Sequence, residues 1–252
     1  KMTRVLLAGE TWISQATHYK GFDSFTSVTF HSGADAFLGA LSEHGIDVDH
    51  MPCHDVPQKF PKTMQELDAY DVIVLSDIGS NSFQLPPETW LEFKESPDRL
   101  KVLAQWVHNG GALMMAGGYL SFQGFQARAN FARSELAPVM PVTIDDFDDR
   151  VEASSGAKVS SLGSSKLAGL ISHGAPMLLG YNRVHAKPDS TVHAKVGEDV
   201  LIASITFGKG KSLVWTSDIG PHWCPESFVE WNGYAPLMAG MIAWLASEED
   251  GN

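Results

Sequence analysis

The chain has 252 residues, of which 44% are hydrophobic and 19% charged, a composition that fills a sizeable core and excludes the disordered and fibrous classes. Its net charge of −12 repels polyanions, which leaves no electrostatic footprint for nucleic acid or an anionic membrane and points to a small polar molecule or a protein as partner. Cys53 and Cys224 are the only cysteines; with no disulfide framework, leader pattern or long apolar run, the chain reads as cytoplasmic.

The segment RVLLAGE is an apolar run over 5–8 that stops at Gly9, the pattern of a strand buried on both faces. A polar stretch rich in Gly, Thr and Phe follows, to which no element is assigned. Ala34, Phe37, Leu38 and Leu41 then fall at i, i+3, i+4 and i+7, and Gly45 supplies a stop, which predicts a helix packed on a sheet. IDVDHM alternates as a strand, and YDVIVLSD supplies a central strand that breaks at Ser76 and Asp77. Strand, helix, strand implies a right-handed crossover.

Ser96 and Pro97 predict the start of a second helix, with Leu100, Leu103, Ala104 and Val107 as its buried stripe and Asn109-Gly110-Gly111 as its end. ALMMA is another buried strand, running into the sharp turn Gly117-Gly118-Tyr119. Residues 138–163 loosen into short polar pieces, among them the acidic DDFDDR, and read as a peripheral insertion with a solvated surface. VLIASITF and KSLVWTSD flank Gly208-Lys209-Gly210 as a hairpin. Leu237, Met241 and Leu245 place a closing helix over 234–246. No linker or repeat divides the chain, so residues 1–252 form one α/β domain, a three-layer sandwich on a mostly parallel sheet.

In such a sheet the loops beyond the carboxyl ends of the strands converge, so the residues after each strand make the candidate ligand pocket. They are Glu10 and Trp12; Asp77, Gly79 and Asn81; Gly117, Gly118, Tyr119 and Ser121; and Ser217 and Trp223. The alternative is the ordinary polarity of loops. The stretch TSDIGPHWCPESF delivers Asp218 and His222 within five residues, a candidate acid/base couple, although His222 beside Pro221 and Trp223 also suits a structural histidine. Cys224 lies between Trp223 and Pro225, away from any elbow, and reads as a packed thiol. His50, Cys53, His54 and Asp55 match no zinc spacing, and DDFDDR lacks the glycine and spaced ligands of a calcium loop, so neither metal nor cofactor is expected.

The segments RVLLAGE, YDVIVLSDIGSN, GGALMMAGGYLSFQG, GYNRVHAK and FGKGKSLVWTSDIGPHW together resemble a class I glutamine amidotransferase-like domain of flavodoxin-like fold, in a branch that lacks the cysteine. The resemblance implies a nucleophilic cysteine on the elbow after a central strand, with a histidine and a glutamate near the C-terminus. Here Gly118 or Tyr119 holds the elbow position, while His222 and Glu226 stand where the family places His and Glu. Without a thiolate no acyl intermediate can form, and Tyr119 is a poor substitute with an ordinary phenol pKa of about 10. Ser121 is offset from the elbow. Three readings follow: a degenerate amidotransferase-like domain that binds a small polar ligand without glutaminase activity; a hydrolase in which His222 with Asp218 or Glu226 activates water; or a structural or homo-oligomerisation module whose aromatics Trp223, Trp231 and Tyr234 form an interface.

Overall fold

The computed structural model describes residues 2–171 and 174–248. Its strands are β1 (Arg4–Gly9), β2 (Thr11–Lys20), β3 (Asp23–Ser32), β4 (Asp47–Met51), β5 (Val72–Ser76), β6 (Ala112–Ala116), β7 (Val142–Thr143), β8 (Arg150–Ala157), β9 (Val159–Ser161), β10 (Leu178–Asn182), β11 (His185–Ala186), β12 (Thr191–Val196), β13 (Asp199–Phe207) and β14 (Gly210–Trp215). The longer helices are α1 (Asp35–Glu43), α2 (Arg99–His108) and α3 (Tyr234–Ala246).

Eight strands form one sheet in the order β4-β1-β5-β6-β14-β13-β12-β9. The first five run parallel and the last three antiparallel. Counted among themselves, the five parallel strands have the order 2-1-3-4-5, the doubly wound flavodoxin-like pattern, whose direction of winding reverses between β1 and β5. Both faces of the sheet are covered, and the apolar runs follow from that. Val5 and Leu7 turn toward α1 and α3 in one core layer, with Phe37, Leu41, Leu237, Met241 and Ile242. Leu6 and Ala8 turn toward the other, with Leu100, Leu103 and Val107 of α2. Each such side chain contributes about 1.5–3 kcal/mol when fully removed from water.

Helix α2 starts later than Ser96 and Pro97 predict. Asp98 is the N-cap, its carboxylate accepting from the backbone N–H groups of Leu100 and Lys101. Trp106 rather than Ala104 completes the buried stripe, because a large side chain there reaches across to Asp68, to which its indole N–H donates at 3.0 Å. The first residue of α2, Arg99, is fully buried and donates to the carbonyls of Phe83, Val56 and Ser82 at 2.7–3.0 Å. It pins two short helical turns to the sheet.

Two segments differ from their sequence reading. The polar stretch after β1 is a ribbon, β2 paired with β3 from Thr11↔Ser32 to Lys20↔Asp23, and it joins no other strand. Residues 138–163, expected as a peripheral insertion, bury Val139, Met140 and Val142 in the core and supply β9 to the main sheet. Within them DDFDDR is solvated only in part, with Asp146 and Phe147 exposed. Asp149 is buried, accepting from the N–H groups of Gln123 and Gly124 and from the Asn182 amide at 2.8–2.9 Å.

Candidate functional site at the strand ends

The winding reverses between β1 and β5, which places a crevice beyond their carboxyl ends, and the residue after each of these strands is an acid. Glu10 and Asp77 both adopt a left-handed backbone, with φ of 58° and 47°, a conformation that costs a non-glycine residue roughly 1–3 kcal/mol and persists only where its surroundings hold it. The holders are visible. Glu10 donates its N–H to the Ser76 carbonyl at 2.8 Å, and its carbonyl accepts from Gly33 at 2.9 Å. The Asp77 N–H donates to Ser121 Oγ at 3.0 Å, and its Oδ1 accepts from the Leu120 N–H at 2.7 Å. Ser121 is thus a buried anchor for Asp77 rather than a nucleophile.

A third acid comes from the end of β14. Asp218 is buried; its Oδ2 accepts from the Trp223 N–H at 2.8 Å and lies 3.3 Å from His222 Nδ1. His222 is largely exposed and stacks on Trp223, with Tyr119 edge-on at 5.0 Å. The Asp218–His222 couple expected from the spacing is therefore formed. Glu226 is not part of it: it is exposed on the first turn of the helix Glu226–Val229, on the far side of Pro225. Asp218 takes the place beside the imidazole.

The three acids share one electrostatic neighbourhood. Burial, then the negative charges of Asp77 and Asp218, hold the Glu10 carboxyl well above the usual range, against the Ser76 hydroxyl that donates to it at 2.5 Å. Burial, then Asp218, pushes Asp77 up to about 6, opposed by the Leu120 N–H and by His222. His222 moves up as well, because its hydrogen bond to Asp218 outweighs its partial burial. A carboxyl group raised toward neutrality, as Asp77 is, is suited to receiving and returning protons.

At Gly117 and Gly118 the elbow has no room for a side chain. Gly118 has φ +149°, and a Cβ built on it would lie 2.8–2.9 Å from Oδ1, Cβ and Cγ of Asp77. Gly117 is equally confined, its Cβ position falling 2.3 Å from the Thr216 carbonyl oxygen. The side chain of Asp77 thus fills the space an elbow residue would use. Asn182, at the end of β10, clamps this turn from below and is fully buried. Its Oδ1 accepts from the Gly118 N–H at 2.9 Å and its Nδ2 donates to the Gly118 carbonyl at 3.1 Å.

The remaining expected residues are distributed as follows. Ser217 is buried and donates to the Gly180 carbonyl at 2.7 Å, a structural role. Trp12 stands half-exposed at the root of the ribbon, stacked on His31. Gly79 lies against the Ala129 backbone, and Asn81 is exposed on the short helix Asn81–Gln84, outside the acid cluster. Trp223 and Tyr234 are buried within the chain, which removes them from the expected aromatic interface.

Sequence reasoning missed the contribution of β8. Glu152 accepts from the Tyr119 hydroxyl at 2.6 Å and from the Trp223 indole N–H at 3.0 Å, joining two walls of the cleft. Arg150 lies over the rings of Tyr119 and Phe125, at 5.1 and 4.0 Å. The only signal was their place beside DDFDDR, and nothing in that run indicates that it folds back over β10.

Cys224 is fully buried, and burial pushes its thiol far up, so it is a packed side chain as its position implied. Around Cys53, the His50 Nε2 donates to the Gly9 carbonyl at 2.9 Å and the Cys53 N–H to Thr11 Oγ1 at 2.8 Å; these groups brace the end of β1. Among the described residues, no group of three or more His, Cys, Asp or Glu side chains is arranged to hold a metal ion. A cavity of about 740 Å³ opens at the opposite, amino ends of the strands, beside Asp68, Tyr70, Trp106 and Lys211. Glu10, Asp77 and Asp218 do not line it.

Known proteins share this fold. The family described as "Putative glutamine amidotransferase" matches residues 4–247. Among solved structures, the cytoplasmic protein STM3548 from Salmonella typhimurium is 40% identical, with a TM-score of 0.90 over 96% of this chain and 98% of that one. The cytoplasmic protein STM1381 from Salmonella typhimurium LT2 is 41% identical, with a TM-score of 0.88 over 96% of this chain and 99% of that one. No curated protein matches in sequence. A match that runs from β1 to the end of α3, on the flavodoxin-like strand order, places the chain in the glutamine amidotransferase-like family.

Proposed function

We propose that this protein binds a small polar molecule in the strand-end cleft and does not hydrolyse glutamine. The carrying observation is the overlap between Asp77 and the side-chain position of Gly118: the space in which an elbow nucleophile would stand holds a carboxyl group instead. The walls suit a polar ligand. Glu10, Asp77 and Asp218 offer acceptors, and Asp77 in protonated form a donor, while Tyr119 and His222 offer aromatic surface. By analogy with the two Salmonella proteins, the cytoplasm is the proposed location.

A second reading is supported by one observation, the 3.3 Å approach of His222 Nδ1 to Asp218 Oδ2. Asp218 would orient the imidazole so that its outward Nε2 activates a water against a bound substrate, with Asp77 as the second proton-transfer group.

Ammonia release from glutamine and a thermal-shift panel of polyols, sugars, amines and amino acids test both readings, with wild type beside Asp77→Asn and His222→Ala. The binding reading expects no ammonia and a stabilising ligand whose effect is lost in Asp77→Asn; saturation at one hundred times Kd raises stability by about 2.7 kcal/mol. Turnover of a bound compound that vanishes in His222→Ala favours the second reading. Glutamine hydrolysis by the wild type overturns the first.

A further inference from the structure

The ribbon formed by β2 and β3 is the least accounted-for part of the molecule. It spans residues 11–32, of which only Thr11 is buried. A two-stranded ribbon alone is at best marginally stable in water and needs a further layer against one face. The cross-strand register separates its faces. On one, Trp12 stacks on His31 and His18 on Phe25, while Ser14 and Ser27 bond the two imidazoles across the strands at 2.9 and 2.8 Å. That face satisfies itself. On the other, Ile13, Tyr19, Val28 and Phe30 alternate with Gln15, Thr17, Ser24 and Thr26. These four apolar side chains are 53–78% exposed, so among the described residues no element covers them; Phe30 meets His54 edge-on.

We propose that this face packs against a second copy of the chain, in a two-fold exchange of ribbons. Two observations select that occupant. The first is charge. Lys20 and Asp23 are the only Lys, Arg, Asp or Glu residues in 11–32, and they cancel, so the rest of the chain carries the whole net charge of −12. A neutral, apolar arm is what one acidic molecule can lay on another without like-charge repulsion.

The second is area. Ten residues in each strand, at about 3.3 Å per residue and about 4.8 Å between strands, give a face roughly 33 Å long and 10 Å wide, a footprint of about 330 Å². A single arm on a foreign surface falls short of the roughly 800 Å² per partner of a standard interface. Reciprocal exchange counts each arm and each receiving surface, about 660 Å² per protomer and about 1,300 Å² in total, which enters the range of stable association. Because the ribbon springs from Glu10 and returns at Gly33, which donates to the Glu10 carbonyl, the second copy borders the strand-end cleft.

Sedimentation equilibrium on the intact chain tests this, comparing wild type with Tyr19→Asp/Val28→Asp. Both substitutions lie on solvent-exposed positions of the open face. The wild type is expected at twice the chain mass at about 50 μM, and the double variant at the chain mass, its dimer weakened at least about 100-fold. Circular dichroism checks that the variant is folded; if it is not, the single variant Val28→Lys gives the same comparison. A monomeric wild type at about 50 μM overturns the proposal and points to a different protein on the ribbon. A wild-type dimer that survives unchanged in the folded variants also overturns it, since the contact then lies elsewhere.

Discussion

Asn182 holds Gly118 by both of its backbone polar groups, accepting from the N–H at 2.9 Å and donating to the carbonyl at 3.1 Å. The same amide nitrogen donates to Asp149 at 2.8 Å, and Asp149 in turn accepts from Gln123 and Gly124. One fully buried side chain thus ties the elbow after β6 to the loop that follows it and to β8.

Replacing Asn182 with alanine leaves the Gly118 N–H and the Asp149 carboxylate short of a partner in a buried place. The expected loss is about 2–4 kcal/mol of unfolding free energy, read from urea denaturation of the variant beside wild type. A loss below about 1 kcal/mol would mean that water replaces the amide and that the clamp is not structural.

Gly118→Ala forces a Cβ against Asp77 at 2.8–2.9 Å in addition to an unfavourable φ, and should destabilise by more than about 1 kcal/mol. Trimming the obstacle separates the two causes. In Asp77→Ala the same glycine substitution is expected to cost less, a coupling of at least about 0.5 kcal/mol in the double-mutant cycle. Strict additivity would show that Asp77 does not occupy the elbow space.

The pH dependence of stability has a definite sign. Asp77 is raised from 3.8 to about 6 in the folded state, so between those values the native protein binds more protons than the unfolded chain, and stability falls as pH rises through the window. Glu10 and His222, also raised, act in the same direction. Asp77→Asn should therefore flatten the profile between about pH 4 and 6.5 relative to wild type. Thermal midpoints across that range decide it; parallel profiles for the two proteins would place the titration elsewhere.

Burial pushes the Cys224 thiol up, with the charges of Asp218 and Glu10 adding to it, and Cys53 is raised chiefly by burial too. Native protein at pH 8 should accordingly react slowly with a disulfide reagent, while denatured protein releases two thiols per chain. Cys224→Ser should leave ligand binding intact and cost about 1–3 kcal/mol for a hydroxyl in an apolar pocket. Fast labelling of the native protein at Cys224 would contradict its burial.

The parallel core was legible because its residues answer to local rules. Continuous apolar runs at 5–8, 72–75 and 112–116 are what strands covered on both faces require, and the stops at Gly9, Ser76 and Gly117 place their ends. Once those strands are parallel, Glu10, Asp77 and Asp218 must gather at one edge, so the heart of the site followed from order alone. The missing elbow thiol was equally plain from Gly117-Gly118-Tyr119. Glu226 was misplaced because proximity in sequence to His222 says nothing about which carboxylate turns inward; the buried Asp218 does, three residues after Trp215 ends β14. Glu152 and Asn182 reach the cleft only because β8 pairs with β10, a long-range contact that no local period encodes. The ribbon escaped notice for a related reason. Period-two alternation marks a strand when one face is buried, and β2 and β3 have no buried face within their own chain. What tertiary structure alone decided was therefore pairing between distant segments and the burial it creates, which depend on energies summed over the whole fold rather than over neighbouring residues.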